Sequence, residues 1–212
     1  AQVPLLLSIE EQNQVAMRVG GQGEILFFNA KTGVELKRVA LPLPAGSEIR
    51  SIAQDQPGSP TVALGLSNGQ VLVFQHTYKV TYPDNKKTIT PEIAFPYGET
   101  PIGRTLEHVS INAGDDSLLL AGSVDKQLLL LSMTREENML TGESTLDEER
   151  IELPQIAEPV KAIYLDPRKQ WLYVINGRAT ADVFDLHSRQ LNGRYKLLED
   201  PNAEVTASTQ LL

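Results

Sequence analysis

Apolar residues recur along this chain in bursts of about five to eight, each bounded by Gly, Asn, Asp or Pro, the pattern of short strands joined by tight turns. Apolar spacing of helical period over a helix-length stretch is missing. The clearest segment runs from Val160 to Leu198 and predicts four strands: Val160–Leu165, Trp171–Asn176, Ala181–Leu186 and Gly193–Leu198. Asp166-Pro167-Arg168-Lys169 sets Pro at the second position of a type I turn, where its fixed φ is already correct. Asn176-Gly177 supplies residues that tolerate positive φ between the next two strands.

The same order recurs upstream. His108–Asn112, Leu118–Ser123, Gln127–Met133 and Arg150–Leu153 form one copy, its first turn being Ala113-Gly114-Asp115-Asp116. Ile49–Gln54, Thr61–Leu66, Gln70–Gln75 and an outer segment through Tyr82 and Thr88–Ile93 form another, with Asn68-Gly69 as a hairpin signal. Pro4–Ile9, Gln14–Val19, Gly23–Phe28 and Val34–Ala40 form the first. Third strands aligned at Gly23, Gly69, Gln127 and Ala181 lie 46, 58 and 54 residues apart, near the period of about 40 to 50 that marks propeller blades. The fold expected is therefore all-β, a propeller-like array of four four-stranded antiparallel blades over residues 1–45, 46–103, 104–156 and 157–200, with Thr77–Pro91 and Arg135–Glu149 as insertions in outer connections. Four blades are at the low end for closure, so an incomplete ring is expected. Glu204–Leu212 reads as the inner strand of a further blade or as a closing strand.

Two segments resemble blade motifs. Leu165-Asp166-Pro167-Arg168-Lys169-Gln170-Trp171-Leu172-Tyr173-Val174 is similar to the repeat of lactonase-like (YVTN-type) propellers, and Phe28-Asn29-Ala30-Lys31-Thr32-Gly33 to the quinoprotein-like repeat. Both are structural grammar, not active sites.

The 212 residues, 41% hydrophobic, suffice for one sizeable core or repeat array. A formal charge of −8 with a pI near 4.9 repels a phosphate backbone, which argues against nucleic acid as a partner. With no cysteine, disulfides, thiolate metal sites and cysteine nucleophiles are excluded, and an oxidising compartment is mildly favoured. No run of eighteen apolar residues predicts a spanning helix. The chain starts at Ala1 with neither an initiator Met nor a leader pattern, which reads as an excised fragment without its own targeting signal.

Longer segments carry a family resemblance: Glu10-Glu11-Gln12-Asn13-Gln14-Val15-Ala16-Met17-Arg18, Gly65-Leu66-Ser67-Asn68-Gly69-Gln70, His76-Thr77-Tyr78-Lys79-Val80-Thr81-Tyr82-Pro83, Arg135-Glu136-Glu137-Asn138 and Leu191-Asn192-Gly193-Arg194-Tyr195-Lys196. Together they resemble the large extracytoplasmic insert of an enlarged permease subunit of the phosphate ABC importer, the PstC type. The resemblance implies a bacterial membrane protein with this domain on the periplasmic side. It implies no site, because the matching stretches have no known chemistry.

Candidate chemistry is sparse. The histidines His76, His108 and His187 are 32 and 79 residues apart with no ligand pair beside them. His108 and His187 read as hydrogen-bonding groups near strand ends and His76 as the edge of a long third strand. No nucleophile elbow appears. Asp166 and Asn176 fit turn chemistry better than the ligand shell of a lactonase cation. Glu136, Glu137, Glu143, Asp147, Glu148 and Glu149 lack the alternation of an EF-hand and read as solvated loop. Val19-Gly20-Gly21-Gln22-Gly23 lacks the GK[ST] of a phosphate loop and reads as a hairpin turn. Arg104, Arg168, Arg178 and Arg194 could converge on phosphate only through the fold.

No catalytic, cofactor or metal residue is therefore assigned. The function expected is a non-catalytic interaction or scaffold module, with other parts of the permease, its transporter subunits and the periplasmic phosphate-binding protein as partners, and self-association through open blade edges. The alternatives are a sensor of phosphate or another small molecule and, more remotely, a lactonase-like hydrolase.

Overall fold

The computed structural model describes residues 7–10, 14–54, 59–98, 106, 108–114, 117–124, 126–137 and 139–199. Asp115, Asp116, Arg104 and the segment 201–212 lie outside the described residues. Among those described, sixteen strands form four antiparallel sheets of four, each meandering in sequence order. β1 (Leu7–Glu10), β2 (Val15–Val19), β3 (Glu24–Asn29) and β4 (Glu35–Ala40) make the first sheet. β5 (Ile49–Gln54), β6 (Thr61–Leu66), β7 (Val71–Thr81) and β8 (Thr88–Ala94) make the second. The third holds β9 (His108–Ala113), β10 (Ser117–Val124), β11 (Gln127–Glu137) and β12 (Ser144–Glu152). The fourth holds β13 (Val160–Asp166), β14 (Trp171–Asn176), β15 (Thr180–Asp185) and β16 (Gln190–Lys196). No helix is long and apolar enough to cross a membrane among the described residues.

The chain divides into two compact units, Ala1–Thr105 and Leu106–Leu212. In the first, the period of two along each strand points alternate side chains to one face. Val15, Met17 and Val19 of β2 with Ile25 and Phe27 of β3 meet Val62, Leu64 and Leu66 of β6 with Leu72 and Phe74 of β7 in one core. Each such side chain contributes about 1.5–3 kcal/mol when fully buried. Tyr78 closes the core edge-on to Phe27, ring centroids 6.2 Å apart. Two polar contacts tie the sheets: Ile49 N–H donates to the Gly21 carbonyl (3.2 Å) and Lys37 Nζ to the Pro91 carbonyl (2.9 Å).

In the second unit Ala121, Leu128 and Leu130 of the third sheet pack against Val160, Ile163, Leu165, Leu172, Val174 and Phe184 of the fourth, with Leu153 and Ile156 from the connection between them. Here Leu165 N–H donates to Ser110 Oγ at 3.0 Å. His108 Nε2 lies 3.1 Å from the Val160 carbonyl, which can only accept, so this nitrogen carries the hydrogen.

The hairpins repeat as one device. Gly23, Gly69 and Ala179 have φ of 83°, 81° and 54°. Each donates its N–H three residues back, to Gly20, Leu66 and Asn176 at 3.1, 2.8 and 3.3 Å. Positive φ in the last of these turns thus falls on Ala179 and not on Asn176-Gly177 as expected, because the turn is one residue longer than the Asn-Gly pair suggests. A second device, a side-chain carboxyl or amide oxygen accepting from a backbone N–H three residues on, appears at Asn29, Asp166 and Asp185.

The expected insertions proved to be continued ladder. β7 and β11 run eleven residues each; β7 pairs with β8 out to Thr81↔Thr88, and β11 with β12 out to Glu137↔Ser144. In the latter the backbone ladder carries a sequence too polar to show strand alternation.

Gly23 tests the hairpin device. A Cβ there would sit 2.4 Å from Leu43 Cδ1 at φ +83, whereas at Gly46, with φ +75, it would meet nothing within 4 Å. Gly46→Ala should cost about 1–2 kcal/mol, the backbone term alone, and Gly23→Ala about 1 kcal/mol or more beyond that for the clash. Urea unfolding of both variants checks it; equal costs would remove the packing argument.

Candidate interaction surface

The fold disperses the groups that chemistry would need. His76 is not at a strand edge: it lies inside β7, 4% exposed, with Nδ1 3.0 Å from the Tyr78 hydroxyl. Burial lowers its pKa from the ordinary 6.5, offset in part by the Ser59 backbone. His108 is the inter-sheet tie described above. His187 is exposed in the β15–β16 turn, beside an Asp185 carboxyl that hydrogen bonds from Ser188 hold below the ordinary carboxylate range.

Asp166 and Asn176 do turn work. Asp166 Oδ1 accepts from the Arg168 and Lys169 N–H groups at 3.1 and 3.2 Å. Buried Asn176 accepts through Oδ1 from Arg178 N–H at 3.0 Å and Thr180 N–H at 3.3 Å, and donates through Nδ2 to Thr180 Oγ1. Gly20 to Gly23 form the hairpin turn, with Gly20 N–H donating to the Glu24 carbonyl at 2.8 Å. Among the described residues, no three His, Asp or Glu side chains converge in a way that could hold a metal ion.

Among the described residues, Arg168, Arg178 and Arg194 do not assemble an anion cradle. Arg168 and Arg178 sit in turns at opposite ends of β14, and six strand residues span about 20 Å. Arg178 approaches Glu158 at 3.4 Å. Arg194 forks onto Asp182, Nε to Oδ1 at 2.5 Å and Nη2 to Oδ2 at 2.9 Å, from the directly opposed position on β16. Asp182 is the buried member, its side chain 2% exposed against 49% for Arg194. This hydrogen bonding raises the Arg194 pKa further. No sequence motif announced the pair, since only the strand register sets the two residues opposite each other.

What the sheets do present is surface. The acidic segment expected as loop is strand: Glu136 and Glu137 end β11, Asp147, Glu148 and Glu149 lie in β12, and Glu143 is in the turn between them. From Ser144 through Arg150 every residue of β12 is exposed. At the tip stand Met139 and Leu140, 95% and 96% exposed. Elsewhere Tyr82 beyond β7, and Leu191 and Tyr195 on β16, are also exposed.

No family model matches the chain, and no curated protein matches it significantly in sequence. Solved structures do match: one is the β-propeller domain of Cps50 (Swd1) from Myceliophteria thermophila, with a TM-score of 0.55 and 11% identity over 91% of this chain and 55% of that one. At that identity the likeness is of fold alone. The architecture is thus β-propeller-like, and the chain spans about half the length of the propeller it matches.

Two outcomes follow from the buried polar groups. Arg194→Ala should cost about 2–4 kcal/mol by stranding the Asp182 carboxylate, while Asp182→Leu with Arg194→Leu should be closer to neutral; a denaturant series on both variants decides it. His76 favours its neutral form when folded, so the unfolded chain takes up the proton first as pH falls below about 6.5. Its contribution to stability is complete above that value and declines down to the lowered folded pKa. Stability measured from pH 7.5 to 5 should therefore fall less steeply in His76→Gln than in the wild type; parallel curves would contradict the assignment.

Proposed function

We propose that this domain is a non-catalytic interaction module. The observation that carries this reading is the set of large apolar side chains left exposed on outer strands and their hairpins: Tyr82 at 65%, Met139 at 95%, Leu140 at 96% and Tyr195 at 56%. Of these, Met139 and Leu140 are adjacent, and neighbouring exposed apolar groups among polar residues suit a protein interaction site. A propeller-like fold supports the reading, since its loops and strand edges vary without disturbing the inner strands.

The finer reading takes its support from sequence. The quoted segments resemble the extracytoplasmic insert of an enlarged PstC-type permease, and a chain without cysteine suits an oxidising compartment. On this reading the domain stands on the periplasmic side of the bacterial inner membrane. There it docks the phosphate-binding protein of the importer or regulates its access to the permease.

Calorimetric titration of this chain with the phosphate-binding protein of the same importer, with and without phosphate, tests the proposal. Saturable binding is expected, with an affinity that differs between the two conditions if docking is regulatory. A folded chain that releases no heat of binding in either condition would overturn the docking role.

A further inference from the structure

We infer that the β11–β12 ribbon is the docking element, and that its Met139–Leu140 tip enters an apolar recess on a partner protein whose rim carries Lys and Arg. The inference rests on the docking role proposed above and adds which part of the chain makes the contact and what chemistry receives it.

The first observation is the ribbon's order. Its outer part is a regular ladder, with Arg135 opposite Leu146, Glu136 opposite Thr145 and Glu137 opposite Ser144. The second is that packing does not explain it. The long hairpin of the second sheet lays Tyr78, Ile89 and Ile93 against the core of its unit; in the β11–β12 ribbon Thr134, Glu136, Glu137 and all of Ser144–Arg150 are exposed. Towards its base the ribbon is held by buried Met133 and by Arg189 of the β15–β16 turn, 3.2 Å from Glu149; the part beyond is mostly exposed, and a two-stranded ribbon of that kind contributes little to the fold that carries it.

The third observation is the tip. Two adjacent large apolar side chains are almost completely exposed there, the arrangement of an anchor that is buried on binding. The fourth is charge. Seven carboxylates and two arginines lie between Arg135 and Glu152, and Arg150 is held by Glu148 at 2.7 Å. Such a stem complements a basic rim around an apolar recess and steers association toward it. The same charge repels an anionic membrane leaflet, so a protein recess, not a lipid surface, fits both the tip and its stem.

The test titrates the phosphate-binding protein with three forms of the whole chain: wild type, Met139→Ser/Leu140→Ser, and Glu137→Lys/Glu143→Lys. Circular dichroism and thermal unfolding should be unchanged in both variants, since the altered side chains lie on the exposed tip and stem. The serine variant is expected to lose affinity tenfold or more. The lysine variant should associate more slowly, and added salt should weaken the wild type more than the lysine variant. Wild-type binding that both variants reproduce would overturn the inference and leave the docking role standing. A wild type that does not bind removes the docking role and this inference together. Flotation with phosphatidylcholine vesicles that depends on Met139 and Leu140 would assign the tip to lipid and also overturn it.

Discussion

In each compact unit of this protein, two four-stranded sheets bury apolar faces against each other, which neither sheet can do alone. In the first unit that contact joins Met17, Ile25 and Phe27 to Leu64, Leu72 and Phe74; in the second it joins Leu128 and Leu130 to Ile163, Leu172 and Phe184. Hydrogen bonds between sheets join them as well, such as the buried one of Leu165 N–H to Ser110 and that of His108 to Val160. They set the alignment of one sheet on the next, while the burial of apolar area supplies the larger share of the stabilisation.

This constraint divides each sheet into an inner part that cannot vary and an outer part that can. β6 is buried along its whole length, whereas β12 and β16 are almost wholly exposed. Where an outer strand approaches the interior, a specific device satisfies it: Arg194 reaches back from β16 to neutralise a carboxylate that Asp182 holds inside the sheet. Where it does not, the chain is free to extend, and the β11–β12 ribbon takes that freedom furthest.

The functional reading follows from the same division. A similarity of fold to a propeller domain at 11% identity defines an architecture and no partner. The partner chemistry has to come from the variable outer surface, where apolar side chains stand among carboxylates. Several polar groups near the cores are already engaged in turns and sheet contacts, as Asp166, Asn176 and Asp182 illustrate.

The linear pattern by itself determined the all-β class, the four-strand repeat and most strand positions, because apolar period and turn residues act over a few neighbours. β5, β6 and β14 follow the apolar bursts residue for residue, and the turn roles of Asp166, Asn176 and Gly20–Gly23 follow from local hydrogen bonding. Tertiary structure alone decided what depends on register and on neighbours distant in sequence. It set Arg194 opposite Asp182, buried His76 within a strand, moved the positive φ to Ala179 and made a ladder of an acidic stretch that reads as loop. Backbone pairing between strands is blind to side-chain polarity, so a polar ribbon leaves no hydrophobic trace in the sequence, and the exposure of Met139 and Leu140 emerges only once the strands have paired.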